Sequence, residues 1–195
     1  MGRRNSIPKG WLHCPQNGKR LIADIFMPLK TPLSRRYNVS PKDEYPIQEI
    51  FKRAKYNKVH IGLWIDLTNT DRYYNKEDIE HMDCQYVKLS CPGHGECPSK
   101  NITNEFISIC HQFHNKRPDD CIAVHCTHGY NRTGFLIASY LVVKLNYDVK
   151  FAVKEFAYSR PPGIYRENYI LELFRRYGKV SKALPPPPLP HWCDR

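Results

Sequence analysis

The chain has 195 residues, 41% of them hydrophobic, and its 30 Lys and Arg against 19 Asp and Glu give a formal charge of +11. That length favours one domain, able to bury a core without disulfides or structural metal, and it contains no run of about 18 apolar residues that would cross a membrane. The positive balance suits a polyanionic partner, whether nucleic acid, phosphorylated protein or anionic lipid, without choosing among them.

The opening MGRRNSIPKG lacks the apolar stretch of a secretory leader. It fits loosely the lipidation pattern M-G-x-x-x-S at Gly2 and Ser6, read here as an ordinary basic start. Pro28, Pro32 and Pro41 predict a loop-rich stretch. Residues Pro46–Tyr56 predict a helix: Pro46 suits a first turn, and Ile47, Ile50, Phe51 and Ala54 share a face. Val59–Leu67 is almost continuously apolar and reads as a buried strand. A short helical turn at EDIEHM and a second strand at Gln85–Ser90 follow, then a Pro/Gly-rich loop, CPGHGECP. Thr103 is the expected cap of a helix through NEFISICHQFHN, striped by Phe106, Ile107, Cys110 and Phe113. Cys121–His125 is a short apolar strand, and Phe135–Asn146 a helix apolar almost all round, hence buried. Asp148 caps the next helix, RPPG breaks it, and a last helix, Arg166–Tyr177, ends at Gly178. The proline run after Ala183 excludes helix and central strand, leaving a linker or an extended strap. Strands alternating with helices predict an α/β fold: a central, largely parallel, twisted sheet flanked by helices.

The chemistry is concentrated in VHCTHGYNRTG, which has the skeleton H-C-x5-R-[ST]-G between a predicted strand and a predicted helix. The backbone N–H groups of Thr127, His128, Gly129, Tyr130, Asn131 and Arg132 can converge on one phosphate. The following helix N-terminus adds positive potential. Arg132 offers a planar fork to two phosphate oxygens, and Gly129 and Gly134 permit conformations and close approaches that a Cβ hinders. Cys126 sits at the first position of the cradle, where helix and arginine depress a thiol's pKa by several units from about 8.5. The thiolate is then placed for in-line attack, giving a cysteinyl phosphate that water cleaves. Thr133 is a candidate hydrogen-bond donor to the sulfur, and His125 a candidate for ordering the turn. Asp66 ends the apolar strand, where α/β sheets line their ligand crevice, and is a candidate to orient Arg132 or the loop, or to cap the turn after it. A nucleotide P-loop, G-x4-G-K-[ST], is absent. A non-catalytic phosphate-binding module would lack the nucleophile or the arginine, and both are present.

The eight cysteines are Cys14, Cys84, Cys91, Cys97, Cys110, Cys121, Cys126 and Cys193. Without a secretory leader they are expected as reduced thiols. Cys91, His94 and Cys97 lie close together, but no second pair at structural-zinc spacing accompanies them, so no metal site is expected.

At these residues the chain resembles the cysteine phosphatase superfamily of protein tyrosine and dual-specificity phosphatases. HCTHGYNRTG, IDLTNTDRYY, GHGECP, SRPPGIY, ELFRRYG, the opening IPKGWLHCP and the closing LPPPPLPHWC together resemble the RNA 5′-triphosphatase domain of metazoan mRNA-capping enzymes, nearly from end to end. That resemblance implies removal of the γ-phosphate from nascent 5′-triphosphate RNA, a nuclear location, no metal and no cofactor. It divides the chain into a phosphatase domain, residues 1–183, and a tail, residues 184–195, leading toward a guanylyltransferase domain. The K-x-D-G motif of that domain does not occur here. Partners implied are the RNA end, the guanylyltransferase in cis and the transcription machinery, with no membrane. The alternatives are a stand-alone RNA phosphatase or a dual-specificity protein phosphatase. One departure is visible. Many tyrosine-type relatives carry a general-acid Asp about thirty residues before the cysteine, a step worth about 10²- to 10⁴-fold; here that loop holds His94 and Glu96 but no Asp. Of the arginines outside the turn, Arg160, Arg166, Arg175 and Arg176 are candidates to meet RNA phosphates or merely to face solvent.

Overall fold

A computed structural model describes residues 6–93 and 95–193. Gly2 of the lipidation pattern and His94 therefore lie outside the described residues.

Four parallel strands form one sheet: β1 (Phe26–Lys30), β2 (His60–Asp66), β3 (Gln85–Lys88) and β4 (Asp120–Cys126), in the order β1-β4-β2-β3. Helices α1 (Ile47–Tyr56) and α2 (Glu77–Glu80) flank one face, and α3 (Lys100–Lys116), α4 (Asn131–Leu145), α5 (Val149–Ser159) and α6 (Glu167–Tyr177) flank the other. Side chains of β4 alternate between two cores. Ile122 and Val124 enter the larger one with α3 to α6, while Cys121 and Ala123 enter the smaller one with Trp11 and α1. In β2 the alternation slips, since Ile61 and Leu63 lie in opposite cores although two residues apart. A register shift falls between them, at Gly62. A Cβ there would stand 2.6 Å from the Asp120 carboxylate, so glycine permits the bulge.

The register aligns the carboxyl ends of the strands, pairing Lys30 with Cys126, and Asp66 with both His125 and Lys88. Helix α4 is buried along most of its length and sits centrally against α3, α5 and α6. That matches its apolar composition and holds its N-terminus at the carboxyl edge of the sheet.

Two expectations are corrected, and one pair of alternatives is decided. Pro28 does not end regular structure, for it lies in β1 at the sheet edge, where its carbonyl accepts from Gly18. A proline without an N–H is tolerated on an edge strand. Helix α3 begins at Lys100 rather than after Thr103. Ser99 is its cap, accepting from the Ile102 amide, and the Thr103 hydroxyl donates back to the Ser99 carbonyl at 2.7 Å. Of the two alternatives for the tail beyond Ala183, the structure matches the extended strap, because Trp192 is buried against Tyr130 and Cys14.

Candidate active site

Cys126 closes β4, and α4 begins five residues later at Asn131. Between them the chain turns under tight constraints. The Thr127 carbonyl accepts from the Thr31 amide at 3.1 Å, and the Tyr130 carbonyl from Gly134 at 2.6 Å. The carbonyls of His128 and Gly129 accept from Arg160 at 2.7 and 2.8 Å. A trans peptide points its N–H opposite to the preceding C=O, so the His128, Gly129 and Tyr130 amides are turned the other way. The Gly129 amide accordingly donates to Cys126 Sγ at 3.3 Å. Gly129 has φ +72°, and a Cβ would lie 2.0 Å from the Leu29 carbonyl oxygen, so no other residue fits. At Gly134 a Cβ would stand 2.7 Å from both Phe156 and Ile164, closer than ordinary contact allows.

The Cys126 thiol is 4% exposed. Burial pushes its pKa up, but Arg132, the Thr133 hydroxyl and the Thr133 and Gly129 amides outweigh burial and hold it below 9.0. The buried Thr133 hydroxyl has no other hydrogen-bond partner among the described residues. Other cysteines show the opposite response. Burial pushes Cys14 up to about 11 and Cys84, Cys91 and Cys121 up to about 12. A thiol held low where its neighbours are driven high marks Cys126 as the candidate nucleophile.

Arg132 donates to the carbonyls of Leu67 and Cys91 and to Thr127 Oγ1, each at 3.2 Å. It makes no ion pair among the described residues, so its charge is oriented but not neutralised. Asp66 does not reach it, and that candidate role is corrected. Asp66 caps the turn after β2 by accepting from the Thr68 amide at 2.8 Å and hydroxyl at 2.7 Å. Its other oxygen accepts from Tyr86 and Lys88 at 3.1 and 3.0 Å and lies 3.2 Å from the Tyr74 hydroxyl. Burial pushes its carboxyl up, but His125, Lys88 and the Thr68 donors hold it below 3.8.

The same network orders His125. Its Nδ1 donates to the Cys126 carbonyl at 3.1 Å, and its Nε2 accepts from the Tyr74 hydroxyl at 2.6 Å. Trp64 Nε1 donates to that hydroxyl at 3.0 Å. Complete burial lowers the imidazole's pKa below 6.5, overriding nearby Asp66, and keeps the ring neutral. Asp66 thus stands one residue removed from the loop, 3.2 Å from the Tyr74 hydroxyl and 3.7 Å from His125 Nε2.

A second shell of support was not legible in the sequence. Arg160, 1% exposed, donates to the carbonyls of Gly129, His128 and Pro15 at 2.7–2.9 Å and lies 4.3 Å over the Tyr130 ring. It braces the loop and is not available to RNA. Arg175 and Arg176 pair with Glu172 on α6, and Arg176 also reaches Thr103 and the Pro98 carbonyl. Arg176 is thereby held within the fold, whereas the Arg175 side chain stays 62% exposed. Buried Lys30 donates to the carbonyls of Trp11 and Cys14, and burial lowers its ammonium to about 8. Trp192 stacks on His128 at 5.2 Å and meets Tyr130 and Tyr165. No single-residue signal marks Arg160 or Trp192, since each lies far from the cysteine along the chain.

The loop opens into a pocket of about 90 Å³ lined by Cys126, His128, Tyr130, Asn131, Arg132, Tyr165, Arg166, Tyr169, Gly93 and Gly95. Asn131 Oδ1 accepts from the amides of Tyr165 and Arg166, both at 3.1 Å, fixing that wall. The Gly93–Cys97 wall is tied to α6 by Asn168 and Tyr169, which donate to the Gly95 and Glu96 carbonyls at 2.7 and 2.5 Å. The Glu96 side chain is exposed and does not line the pocket.

The chain is similar to known proteins in sequence and in fold. A family model described as "Dual specificity phosphatase, catalytic domain" matches residues 47–178. The chain is 48% identical over 191 residues to an mRNA-capping enzyme of Mus musculus, with 97% of this chain and 32% of that protein covered. It is 35% identical over 186 residues to an RNA/RNP complex-1-interacting phosphatase homolog of Caenorhabditis elegans, covering 90% of this chain and 80% of that protein. The chain thus spans about a third of the length of the capping enzyme and most of the smaller phosphatase. Among solved structures, the active form of Tk-PTP matches with a TM-score of 0.62 at 14% identity, over 84% of this chain and 96% of that one, which is a likeness of fold.

Proposed function

The chain belongs to the dual specificity phosphatase family, and on that premise we propose that it is an RNA 5′-triphosphatase that removes the γ-phosphate from a 5′-triphosphate end. The product is the 5′-diphosphate end on which a cap is built. The observation that carries this reading is the depressed thiol of Cys126 in a pocket that also holds Arg132 and Arg166, in a chain whose relatives along nearly its whole length include mRNA-capping enzymes. The net charge of +11 is compatible with a polyanionic RNA substrate.

In this reading the γ-phosphoryl group sits in the cradle of amides from His128 to Arg132, with Arg132 forking two of its oxygens. Cys126 Sγ forms a bond to the γ-phosphorus as the bond to the β–γ bridging oxygen breaks. The RNA diphosphate leaves with the electron pair. Water then attacks the cysteinyl phosphate, releasing inorganic phosphate and returning the thiolate, whose charge the Thr133 hydroxyl stabilises. Arg132 and the amides stabilise the charge that develops on the equatorial oxygens. They perform the neutralisation that a divalent cation supplies in metal-dependent phosphohydrolases. The reading further implies a phosphatase domain over residues 1–183, a strap from 184 leading to a guanylyltransferase in cis, nuclear location and contact with the transcription machinery.

The test is release of label from γ-labelled triphosphate RNA in excess EDTA. The wild-type protein is expected to turn over, Cys126→Ser to be inert though folded, and Arg132→Ala to lose several orders of magnitude. Turnover by Cys126→Ser, or activity that EDTA abolishes and Mg²⁺ or Mn²⁺ restores, overturns the mechanism.

A further inference from the structure

Arg166 is the second guanidinium, with Arg132, lining the pocket. Its backbone is fixed at both ends of the Tyr165–Arg166 peptide by Asn131, the first residue of α4. Its side chain is exposed and forms no ion pair or hydrogen bond among the described residues. An arginine at a surface normally lies along apolar atoms or meets a carboxylate. Here it lies over Gly95, where an added Cβ would be 2.8 Å from one of its terminal nitrogens. Gly95 thus leaves room for this cation, and the neighbouring Glu96 is exposed and does not line the pocket.

We propose that Arg166 binds the β-phosphate of the triphosphate end, next to the γ-phosphate held by Arg132, and sets the preference for polyphosphate over monophosphate substrates. The inference rests on the triphosphatase reading. A monophosphate ester needs one anion site, which the cradle and Arg132 supply. A triphosphate brings a second charged group, attached through the oxygen that leaves. That group departs as a phosphate anion of low proton affinity, so it needs a positive charge more than a proton. A guanidinium fork beside the departing oxygens answers that need, and its contacts strengthen as the bridging bond breaks.

The experiment compares wild type with Arg166→Gln and Arg166→Lys on triphosphate-ended RNA and on p-nitrophenyl phosphate, whose leaving group carries no phosphate. Losing charge-assisted hydrogen bonds corresponds to about 10- to 100-fold. The ratio of kcat/KM on triphosphate RNA to kcat/KM on p-nitrophenyl phosphate is expected to fall by that factor in Arg166→Gln. Arg166→Lys, which keeps a point charge but not the fork, is expected between the two. Diphosphate-ended RNA should inhibit the wild type more strongly than Arg166→Gln. An unchanged ratio, or equal losses on both substrates, overturns the proposal even if triphosphate RNA is the wild-type substrate. A wild type that leaves triphosphate RNA intact while cleaving p-nitrophenyl phosphate overturns the substrate reading, and the role of Arg166 with it.

Discussion

The brace beneath the phosphate loop makes a demanding prediction. Arg160 is a buried cation whose partners are three carbonyl oxygens, of Gly129, His128 and Pro15, rather than a carboxylate. Replacing it with Met keeps most of the volume and the contact with Tyr130 but removes every donor. Each hydrogen bond to a charged group is worth about 1.5–3 kcal/mol. Three of them set an upper bound near 5–9 kcal/mol, reduced because burying an unpaired cation is itself costly. One terminal nitrogen, Nη1, is already without a partner. A net loss of about 2–4 kcal/mol is expected, which for a domain of this size lowers Tm by roughly 4–16 °C. The catalytic consequence is separate. With the His128 and Gly129 carbonyls released, the amides facing Cys126 lose their fixed direction, and a misplacement of about 1 Å costs on the order of 10² in rate. Calorimetry with kcat on triphosphate RNA, measured well below the variant's Tm, distinguishes the two effects. Arg160→Lys should recover part of the stability and little of the rate, because one ammonium cannot span Gly129, His128 and Pro15 together. An Arg160→Met protein within about 2 °C of wild type, at full kcat, would refute the reasoning, since that shift corresponds to under about 1 kcal/mol.

Glu96→Gln and His94→Ala are each expected to reduce kcat on triphosphate RNA by less than about tenfold, short of the range for a working general acid; a thousandfold drop in Glu96→Gln with loss of the basic limb of the pH profile would identify Glu96 as the acid. Gly129→Ala places a Cβ 2.0 Å from the Leu29 carbonyl at φ +72°, so activity should fall by at least about 100-fold from loop displacement, read against the melting curve of the same preparation. His125 has a pKa below its ordinary 6.5 because it is buried neutral. The unfolded chain therefore takes up a proton first as pH falls below about 6.5, and stability declines with a slope of up to about 1.4 kcal/mol per pH unit for this group until the folded-state pKa is reached. Chemical denaturation at pH 7.5 and 5.5 should show that loss, and His125→Asn should flatten it.

The sheet and helices were legible wherever one physical signal dominated. The apolar run Val59–Leu67 leaves only a buried strand, and β2 lies within it; Asp148 announces a cap, and its side chain accepts from the Lys150 amide. Legibility failed where context outweighed local preference. Pro28 is a breaker in isolation, but at a sheet edge its missing N–H has no ladder partner to lose. Ser99 and Thr103 are both competent caps, and the choice fell to the one whose hydroxyl meets a free amide. In the site, HCTHGYNRTG is local and carries its chemistry in its spacing. Its supports are not local. Arg160, Trp192 and the Asp66–Tyr74–His125 chain meet the loop only after folding, from sequence separations that no spacing rule covers. Arg160 in particular read as one more surface charge, and only its three carbonyl partners reveal it as a brace.

The measurement closest to the central claim is kcat/KM for triphosphate-ended RNA and for a phosphotyrosine peptide, determined side by side on the same preparation in excess EDTA. A triphosphatase built on Cys126, Arg132 and a cationic pocket should favour the RNA strongly, with the preference shrinking as salt rises and counterion release weakens binding. A much higher kcat/KM on the phosphotyrosine peptide would contradict the account and make the chain a protein phosphatase.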